Sequence, residues 1–137
     1  MSNPHASAHE QATLFERTNG AEGSTMRGKP IVVLTTTGAR TGAPRLVPVM
    51  RVEHEGTYAV VASKGGAPTH PGWYHNLVAH PTVQLRDGPT KRDYVAREVV
   101  GAERDEWWAR AVEAWPAYAE YQTKTDRVLP VFVLEPA

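Results

Sequence analysis

The sequence predicts a mainly β protein of the α+β class, built on an antiparallel β-barrel, closed or split, with helices packed outside. The strand-like segments are joined by links that are mostly too short for parallel crossovers. Glu55-Gly56 and Asp87-Gly88 separate such segments in the way that hairpin turns do. A chain of 137 residues with 41% hydrophobic residues is sufficient for one core. An antiparallel sheet of this kind buries one face by curling into a barrel.

The first half of the chain is predicted to contain one helix and three strands. Residues 1–9 are small and polar, so we expect a disordered tail followed by a single domain over residues 10–137. Asn19-Gly20 is a typical helix C-cap. The nearly continuous β-branched segment that begins at Pro30 predicts a strand buried on both faces. The predicted elements are a helix over Glu10–Thr18 and strands over Pro30–Thr37, Leu46–His54 and Thr57–Ala62.

The second half is predicted to contain three helices, a hairpin and a closing strand. Apolar residues at helical spacing predict the buried face of one helix, formed by Trp108, Ala111, Val112 and Trp115. Pro116 ends that helix, and Pro130 places the last strand at a sheet edge or bulge. The predicted elements are helices over residues 71–80, 103–115 and 117–124, and strands over residues 82–86, 91–100 and 128–134.

Charge and cysteine content restrict the function. The chain has 15 basic and 15 acidic residues, so no overall field attracts it to nucleic acid. Residues 24–52 nevertheless contain five basic residues and no acidic one, which favours a small anionic ligand; a solvated basic face remains the alternative. Because there is no cysteine, thiol redox chemistry and Cys-ligated metals are excluded, and any electron transfer needs an organic cofactor.

The sequence predicts neither a metal site nor a membrane span. The six histidines do not form a His-x-x-x-His pair with a nearby glutamate, so we expect no metal. Residues 1–20 contain no apolar signal region, and no segment approaches the ~20 apolar residues of a membrane helix. A cytoplasmic location is therefore the default expectation.

The segment Ser63–Leu77 indicates a cofactor site. Gly65 and Gly66 follow a strand and allow close approach of a ligand to the backbone, and Lys64 adds a positive charge. A helix that begins at Pro71 offers unpaired N–H groups to an anion. Trp73 and the following tyrosine supply flat apolar surface. Phosphate beside a planar ring is the chemistry of a flavin-like cofactor.

The loop over residues 37–45 resembles an anion nest. Its two glycines permit a left-handed backbone, and Arg40 and Arg45 can each bind phosphate or carboxylate through two N–H groups. No Gly-Lys-Ser/Thr or Gly-x-Gly-x-x-Gly sequence is present, so neither a Walker loop nor a Rossmann nicotinamide site is supported. A basic hairpin turn is the alternative. Two such loops, each after a strand, favour one shared ligand.

Aromatic residues after Pro116 suggest an acceptor site. Tyr118 and Tyr121 follow a helix break and are interpreted as an aromatic lid, whose hydroxyl groups polarise a carbonyl or nitro group. Trp108 and Trp115 are interpreted as core residues. Ser63 could bind a cofactor ring or a substrate oxygen, and His70 is expected to help cap the following helix.

Three motifs together resemble the deazaflavin-dependent nitroreductase family of actinobacteria, which includes F420H2-dependent quinone and nitro reductases. They lie at residues 36–45 and 63–77 and in the sequence Pro-x-Tyr-x-x-Tyr-Gln-x-Lys-Thr-x-Arg at residues 116–127. The resemblance extends from about residue 14 to residue 135. It implies an FMN-binding-like split β-barrel that binds coenzyme F420, a deazaflavin with a phosphodiester and an oligoglutamate tail.

The resemblance also implies roles for individual residues. Arg40, Arg45 and Lys64 would hold the phosphate and the acidic tail. The backbone from Ala62 through Gly65 to Gly66 would line the deazaflavin. The remaining pocket residues would be Ser63, Pro68, Trp73 and Asn76, and the residues expected to act on the acceptor are Tyr121, Tyr118 and Ser63.

The implied reaction is hydride transfer from reduced coenzyme F420 to a quinone, a nitroaromatic compound or an activated enone. Two alternatives stay open: an FMN-dependent reductase of the same barrel class and a non-enzymatic carrier of a cofactor or lipid. A monomer or a homodimer is expected, without nucleic acid. Some relatives attach to membranes through the N-terminal segment, but residues 1–18 are weakly apolar here, so at most weak peripheral contact is expected.

Overall fold

A computed structural model describes residues 8–26, 28–63, 66 and 69–137, with side chains described from residue 10 onward. Within these residues the chain forms four helices and one eight-stranded sheet. The helices are α1 (Ala8–Arg17), α2 (Gly72–Ala79), α3 (Gly101–Ala114) and α4 (Ala117–Thr123). The strands are β1 (Thr25–Met26), β2 (Lys29–Thr37), β3 (Pro44–Met50), β4 (Glu53–His54), β5 (Thr57–Val61), β6 (Thr82–Asp87), β7 (Thr90–Val99) and β8 (Val131–Pro136).

The sheet curls until its two ends meet. All its strand pairs are antiparallel, in the order β1-β2-β6-β7-β8-β5-β4, with β3 paired to β2. The chain continues from β3 through Arg51 and Val52 into β4, which pairs with β5. Ala59 N–H donates to the carbonyl oxygen of Val52 over 2.9 Å, and so joins this bent segment to β5. The result is the split antiparallel barrel that the sequence predicts.

Strand β2 is buried on both faces, which confirms the interpretation of its apolar segment. Ile31 and Val33 pack in a cluster with residues of α1, α3 and α4. Val32 and Leu34 face the opposite way and pack with Leu77 of α2 and residues of β5, β6, β7 and β8. Because successive side chains of a strand point to opposite faces, two apolar environments require a continuous apolar segment instead of an alternating one.

Three turns match their sequence signals. Asn19 and Gly20 end α1 with φ values of 53° and 81°, and Gly20 N–H donates to the Phe15 carbonyl over 2.7 Å. Glu55 and Gly56, with φ values of 53° and 83°, connect β4 to β5. Gly88 lies in the β6–β7 turn and packs so closely on Gly20 that a Cβ at Gly20 would overlap its backbone. Glycine is therefore required at position 20 for space as well as for conformation.

The closing strand differs from its prediction. β8 lies between β5 and β7, so it is an interior strand, and the expectation of an edge or bulge at Pro130 is wrong. Pro130 precedes the first residue of β8, where it uses only its carbonyl oxygen, which accepts the Ala62 N–H over 2.9 Å. Proline is compatible with an interior strand at this position because no ladder donor is needed from it.

The other differences concern element ends and one helix face. The predicted strand 46–54 is interrupted at residues 51–52, the predicted loop 21–28 contains β1, and α1 begins two residues before its predicted start. On α3, Trp107 and Ala111 are the buried residues, and Trp107 is 6% exposed. Trp108, Val112 and Trp115 are half-buried at the margin of the same cluster. The buried face of α3 is thus rotated toward Trp107.

An ion cluster fixes α1 to the β6–β7 hairpin. The Glu16 carboxylate accepts hydrogen bonds from Arg86 Nε at 2.6 Å and from Lys91 Nζ at 2.9 Å. Arg86 is only 9% exposed, so its charge is largely removed from water. Burial alone would raise the pKa of Glu16, but the bonds and charges of Arg86 and Lys91 lower it below its ordinary value of 4.5. The cluster therefore stabilises the fold while Glu16 is ionised.

We expect Glu16→Gln to lower the free energy of unfolding by about 2 kcal/mol at pH 7, because it leaves a buried guanidinium without a charged partner. The folded pKa of Glu16 is depressed, so its contribution is present above the unfolded pKa and is lost as the pH falls through the folded value. Urea denaturation at pH 7 and at pH 3 measures both effects. Glu103→Gln, which breaks an exposed pair with Arg97, is the control and should cost less. If Glu16→Gln lowered the free energy of unfolding equally at pH 7 and at pH 3, the stabilising role of ionised Glu16 would be contradicted.

Candidate functional site

The start of α2 separates two clefts. One, the cationic cleft, has a volume of about 550 Å³ and is lined by Gly38, Ala39, Arg40, Thr41, Arg45, Gly72, His75 and Asn76. The other, the aromatic cleft, has a volume of about 240 Å³ and is lined by Met26, Pro48, Val49, Met50, Val61, Ser63, Pro71, Trp73, Trp115, Tyr118 and Tyr121. Gly72 faces the first cleft, while its neighbours Pro71 and Trp73 face the second. One turn of helix therefore contributes to both.

The cationic cleft is built to attract an anion. Arg40 and Arg45 are exposed in it, and neither forms an ion pair with any residue that the structure describes. α2 begins after Pro71, has no acidic residue in its first turn, and receives no side-chain cap from Pro71. The positive end of the helix dipole and two guanidinium groups thus act on the same space. The cleft contains the charge that the sequence pattern predicts.

The β2–β3 loop holds the two arginines in a compact turn. Gly38 N–H donates to the Ala43 carbonyl over 2.8 Å, and Gly42 N–H donates to the Gly38 carbonyl over 2.9 Å. Gly42 has a φ of 71°, a conformation that glycine adopts without strain. This closed loop places Arg40 and Arg45 on the same side of the hairpin, at the cleft.

Asn76 joins α2 to that loop. Its Oδ1 accepts the Ala39 N–H over 2.9 Å, and its Nδ2 donates to Thr36 Oγ1 over 3.2 Å. Each polar atom of the amide therefore already has a partner in the protein. Asn76 lines the cationic cleft, as the resemblance implies, but its observed bonds show it fixing α2 against the loop.

Gly72 leaves one wall of the cationic cleft open. A Cβ at this position would meet no atom within 4 Å, and its φ is not positive. Glycine is required here neither by backbone conformation nor by packing within the described residues. The space that its missing side chain leaves belongs to the cleft, where a ligand can approach the first N–H groups of α2.

Rings and thioethers line the aromatic cleft. Tyr118 is 5% exposed and meets Tyr121 edge-to-face, with ring centroids 6.2 Å apart. Burial raises the pKa of Tyr118, so its hydroxyl stays protonated at neutral pH. Tyr121 is half-buried. The structure therefore corrects the lid interpretation for Tyr118, whose ring packs in the core and forms a wall of the cleft, whereas Tyr121 is partly accessible.

The end of β5 contributes two predicted residues in different ways. Ser63 is buried and lines the aromatic cleft. Ala62 is fully buried and lines neither cleft, because its N–H donates to Pro130 and its carbonyl accepts from Arg127. Ala62 thus supports the site from below its surface. The role of the Ala62 backbone in lining the cofactor stays a prediction.

Gly66 has a packing role that the sequence did not indicate. A Cβ at this residue would lie 2.5 Å from the Tyr121 carbonyl oxygen and 3.0 Å from the Lys124 Cβ, and its φ is +83°. Glycine is needed here to pass under α4. The other predicted residues of this segment, Lys64, Gly65 and Pro68, lie outside the described residues.

His70 interacts with side chains and does not cap α2 as expected. The N-cap is Pro71, and its own side chain makes no capping bond. The His70 ring stacks on Tyr74 with centroids 4.0 Å apart, and its Nδ1 lies 3.2 Å from Arg127 Nη1. Burial and the Arg127 charge lower the pKa of His70, which favours the neutral ring.

Several residues of the clefts were missed from the sequence. Met26, Pro48 and Met50 carry no local signal, because they lie on β1 and β3 and meet the aromatic residues only when the sheet curls. Trp115 was assigned to the core but also lines the aromatic cleft. Arg127 stands in the third motif, yet the motif gave no indication of its contacts.

Comparisons with known proteins identify a family and similar folds. A model of the family described as F420H(2)-dependent quinone reductase matches residues 7–136. An F420H(2)-dependent quinone reductase of Mycobacterium tuberculosis is 38% identical over 125 residues, which cover 88% of this chain and 84% of the relative.

Two solved structures are also similar. An F420-H2 dependent reductase (FDR-A) is 61% identical with a TM-score of 0.74 and covers 77% of this chain and 94% of its own. A structure described as a domain-swapped dimer is 54% identical with a TM-score of 0.77 and covers 92% of this chain and 95% of its own.

The chain belongs to the F420H(2)-dependent quinone reductase family, so it is an oxidoreductase whose cofactor is reduced coenzyme F420. The residues present fit that cofactor: guanidinium groups and a helix start suit phosphate and carboxylates, and an adjacent cleft of aromatic and apolar side chains suits a flat ring. Among the described residues, no helix is long and apolar enough to cross a lipid bilayer.

We expect Gly72→Val to raise the Kd for coenzyme F420 by about tenfold or more, because the new side chain would enter the cleft without meeting protein atoms. The melting temperature should not fall, since valine is no worse than glycine inside a helix. Fluorescence titration and thermal melting measure the two quantities. Ala79→Val, at the exposed other end of α2, is the matched control. An unchanged Kd for Gly72→Val would place the ligand elsewhere.

Proposed function

We propose that the chain transfers a hydride from reduced coenzyme F420 to a quinone. The observation that carries this proposal is the pair of clefts on the two sides of the first turn of α2, one cationic and one aromatic. A ligand with an anionic tail and a planar ring can occupy both, and the remaining apolar surface of the aromatic cleft can receive a flat acceptor.

Arg40 and Arg45 hold the phosphodiester and the acidic tail in this proposal. Each guanidinium offers a planar fork of N–H groups, which matches the oxygen pairs of phosphate and carboxylate. The first N–H groups of α2 add further donors beside Gly72. Lys64 is proposed to contribute a third charge, on the basis of the family resemblance alone.

The walls of the aromatic cleft orient the ring and the acceptor. When bound, reduced coenzyme F420 supplies a hydride and a proton, so that a quinone that takes up both becomes a hydroquinone. Trp73 and Trp115 present flat apolar surface, which holds planar molecules and limits the access of water. Ser63 is proposed to hydrogen-bond the ring or the acceptor, and no cysteine or metal is required for electron transfer.

Tyr121 is the residue proposed to assist the acceptor. Its ring lines the aromatic cleft and is half-buried, so its hydroxyl can donate a hydrogen bond to an acceptor oxygen as negative charge develops there. Tyr118 supports the Tyr121 ring edge-to-face. Tyr121 or water passes the proton to the acceptor oxygen, and the proton that the cofactor gives up restores that donor.

Quinones are favoured over the other proposed acceptors. The family description and the Mycobacterium tuberculosis relative both specify quinone reduction. Nitroaromatic compounds and activated enones share a flat electron-poor structure and fit the same walls, so they remain acceptors to be screened. FMN lacks the oligoglutamate tail and would use less of the cationic cleft. A carrier would need neither the access to the acceptor nor the partly exposed tyrosine.

A homodimer is the proposed assembly. The support is the 54% identical structure described as a domain-swapped dimer. Light scattering of the purified chain gives its molar mass directly, and a mass of one chain at micromolar concentration would contradict the dimer.

We expect Arg40→Gln and Arg45→Gln each to raise the Kd for coenzyme F420 by about tenfold, on the order of 1.5 kcal/mol for a charge-assisted bond. Tryptophan fluorescence reports binding, because Trp73 lies in the adjacent cleft. A parallel titration with FMN distinguishes the cofactors and should show weak binding. Arg92→Gln, on an exposed position of β7, is the control. Wild-type affinity in both cleft variants would remove the phosphate assignment.

We expect Tyr121→Phe to reduce kcat for a quinone about tenfold or more while the Kd for coenzyme F420 is unchanged, because only the hydrogen bond to the acceptor is lost. Tyr118→Phe should reduce kcat less, since its hydroxyl is buried. Steady-state kinetics with a soluble benzoquinone, together with the fluorescence titration, separates the two effects. A weaker Kd with normal kcat would assign Tyr121 to the cofactor.

A further inference from the structure

One guanidinium group connects the two chain segments that flank the glycine-rich region. Arg127 Nη1 donates to the Ala62 carbonyl over 3.0 Å, and Arg127 Nη2 donates to the Ser63 carbonyl over 2.7 Å. The same Nη1 lies 3.2 Å from His70 Nδ1. Arg127 therefore contacts the two residues that follow β5 and, at the same time, a residue that precedes α2.

These contacts lie directly behind the site. Ser63 and Pro71 both line the aromatic cleft, and α2 begins beside Pro71. Ser63 follows β5, His70 precedes α2, and Arg127 contacts both residues. Because a guanidinium is planar and rigid, its N–H groups fix the separation of their acceptors more strictly than a flexible ammonium does.

Arg127 follows α4 and is itself held by Gln122 of that helix. Gln122 Nε2 donates to the Arg127 carbonyl over 2.8 Å, and Gln122 Oε1 accepts the Leu129 N–H over 3.0 Å. α4 also carries Tyr121, which lines the aromatic cleft. Arg127 is thus the connection between the helix that carries the acceptor-side tyrosine and the strand and helix that carry the cofactor side. It lines neither cleft, so it acts through other residues.

We infer that Arg127 is the positioning residue that holds the end of β5 and the start of α2 in the arrangement that binds coenzyme F420. The inference rests on the proposed function of the two clefts. It assigns to Arg127 a role in cofactor affinity without contact to the cofactor, by way of Ser63, His70 and the first turn of α2.

The first test measures cofactor affinity and stability in parallel. Arg127→Gln should raise the Kd for coenzyme F420 about tenfold or more. Arg104→Gln is the matched control, because Arg104 Nη2 also donates to a backbone carbonyl, that of Leu129, over 2.9 Å but lies outside both clefts. It should lower the melting temperature and leave the Kd unchanged. If the Kd rises equally in both variants, Arg127 only stabilises the fold, and the inference is contradicted.

If Arg127→Gln does not fold, Arg127→Lys serves as the second variant. It keeps the positive charge and tests whether the two N–H groups of the guanidinium are needed. One ammonium group does not reproduce the planar separation of Nη1 and Nη2. The lysine variant should therefore still bind coenzyme F420, but with a higher Kd than the wild type. Its melting temperature should stay close to that of the wild type. Full wild-type affinity in Arg127→Lys would overturn the inference, since charge alone would then be sufficient.

The second test needs no cofactor and follows His70 by NMR. Burial lowers its pKa below the ordinary value of 6.5, and the charges of Arg127 and His75 lower it further, against the opposing charge of Glu98. Tyr74 stacks on the ring and completes its surroundings. Arg127→Gln should raise the pKa of His70 toward 6.5, whereas Arg104→Gln should not. An unchanged His70 pKa in Arg127→Gln would show that the guanidinium does not hold this end of the segment.

The outcomes separate the inference from the proposed function. If the wild-type chain does not bind coenzyme F420, the proposed function fails and this inference fails with it. If the wild type binds and Arg127→Gln binds equally well, only the inference fails. Weaker binding in Arg127→Gln, together with the shifted His70 pKa and a normal Kd in Arg104→Gln, establishes the positioning role.

Discussion

The hydrogen bond between Ala59 and Val52 marks the constraint on which the site depends, because it is where the curled sheet closes. A polar cluster lies beside it: Asp87 Oδ2 accepts from the Tyr58 hydroxyl at 2.5 Å and from Arg51 Nε at 2.9 Å, which joins the ends of β3 and β6 to β5. Burial, followed by the bond to Asp87, raises the pKa of Tyr58, so the phenol remains a donor. Closure brings the β2–β3 loop and the end of β5 to opposite sides of α2, and these two segments form the clefts.

In the proposed function, one cleft binds the charged part of a single ligand and the other binds its flat ring. Charge recognition needs guanidinium groups near solvent, where Arg40 and Arg45 lie, because a buried unpaired cation would be costly. Ring recognition needs apolar walls without water, and Met50 and Tyr118 provide buried surface for it. A single small barrel can satisfy both only at a boundary between its core and its surface. The first turn of α2 is such a boundary, since Gly72 is exposed while its neighbour Pro71 is buried.

Local sequence signals predicted most of the fold. The features that were missed depend on contacts between residues that are far apart in the sequence. The turns at Asn19-Gly20 and Glu55-Gly56 depend on backbone conformations that their own residues encode, so they could be located from sequence. Arg40 in its loop and Trp73 in the first turn of α2 could be identified for the same reason. Met26 and Arg127 had no such signal, because their places at the site exist only after β1, β5 and α4 have packed together. The position of Pro130 was misjudged because strand order, which decides whether β8 is an edge, is a property of the whole sheet.

The glycine-rich segment shows how one sequence feature can serve two purposes. Adjacent glycines suggested close approach of a ligand, but Gly66 approaches the backbone of Tyr121, where any Cβ would collide with a carbonyl oxygen. Arg127 joins the same region to α4 from the other side through the Ala62 and Ser63 carbonyls. The helix that carries Tyr121 is therefore packed and hydrogen-bonded to the segment that leads to α2. Because closely packed segments move little relative to each other, the walls of the aromatic cleft that are proposed to hold the acceptor and the cofactor are expected to keep a fixed separation. A fixed separation is what the proposed hydride transfer requires, since the reacting atoms must be held close together and aligned.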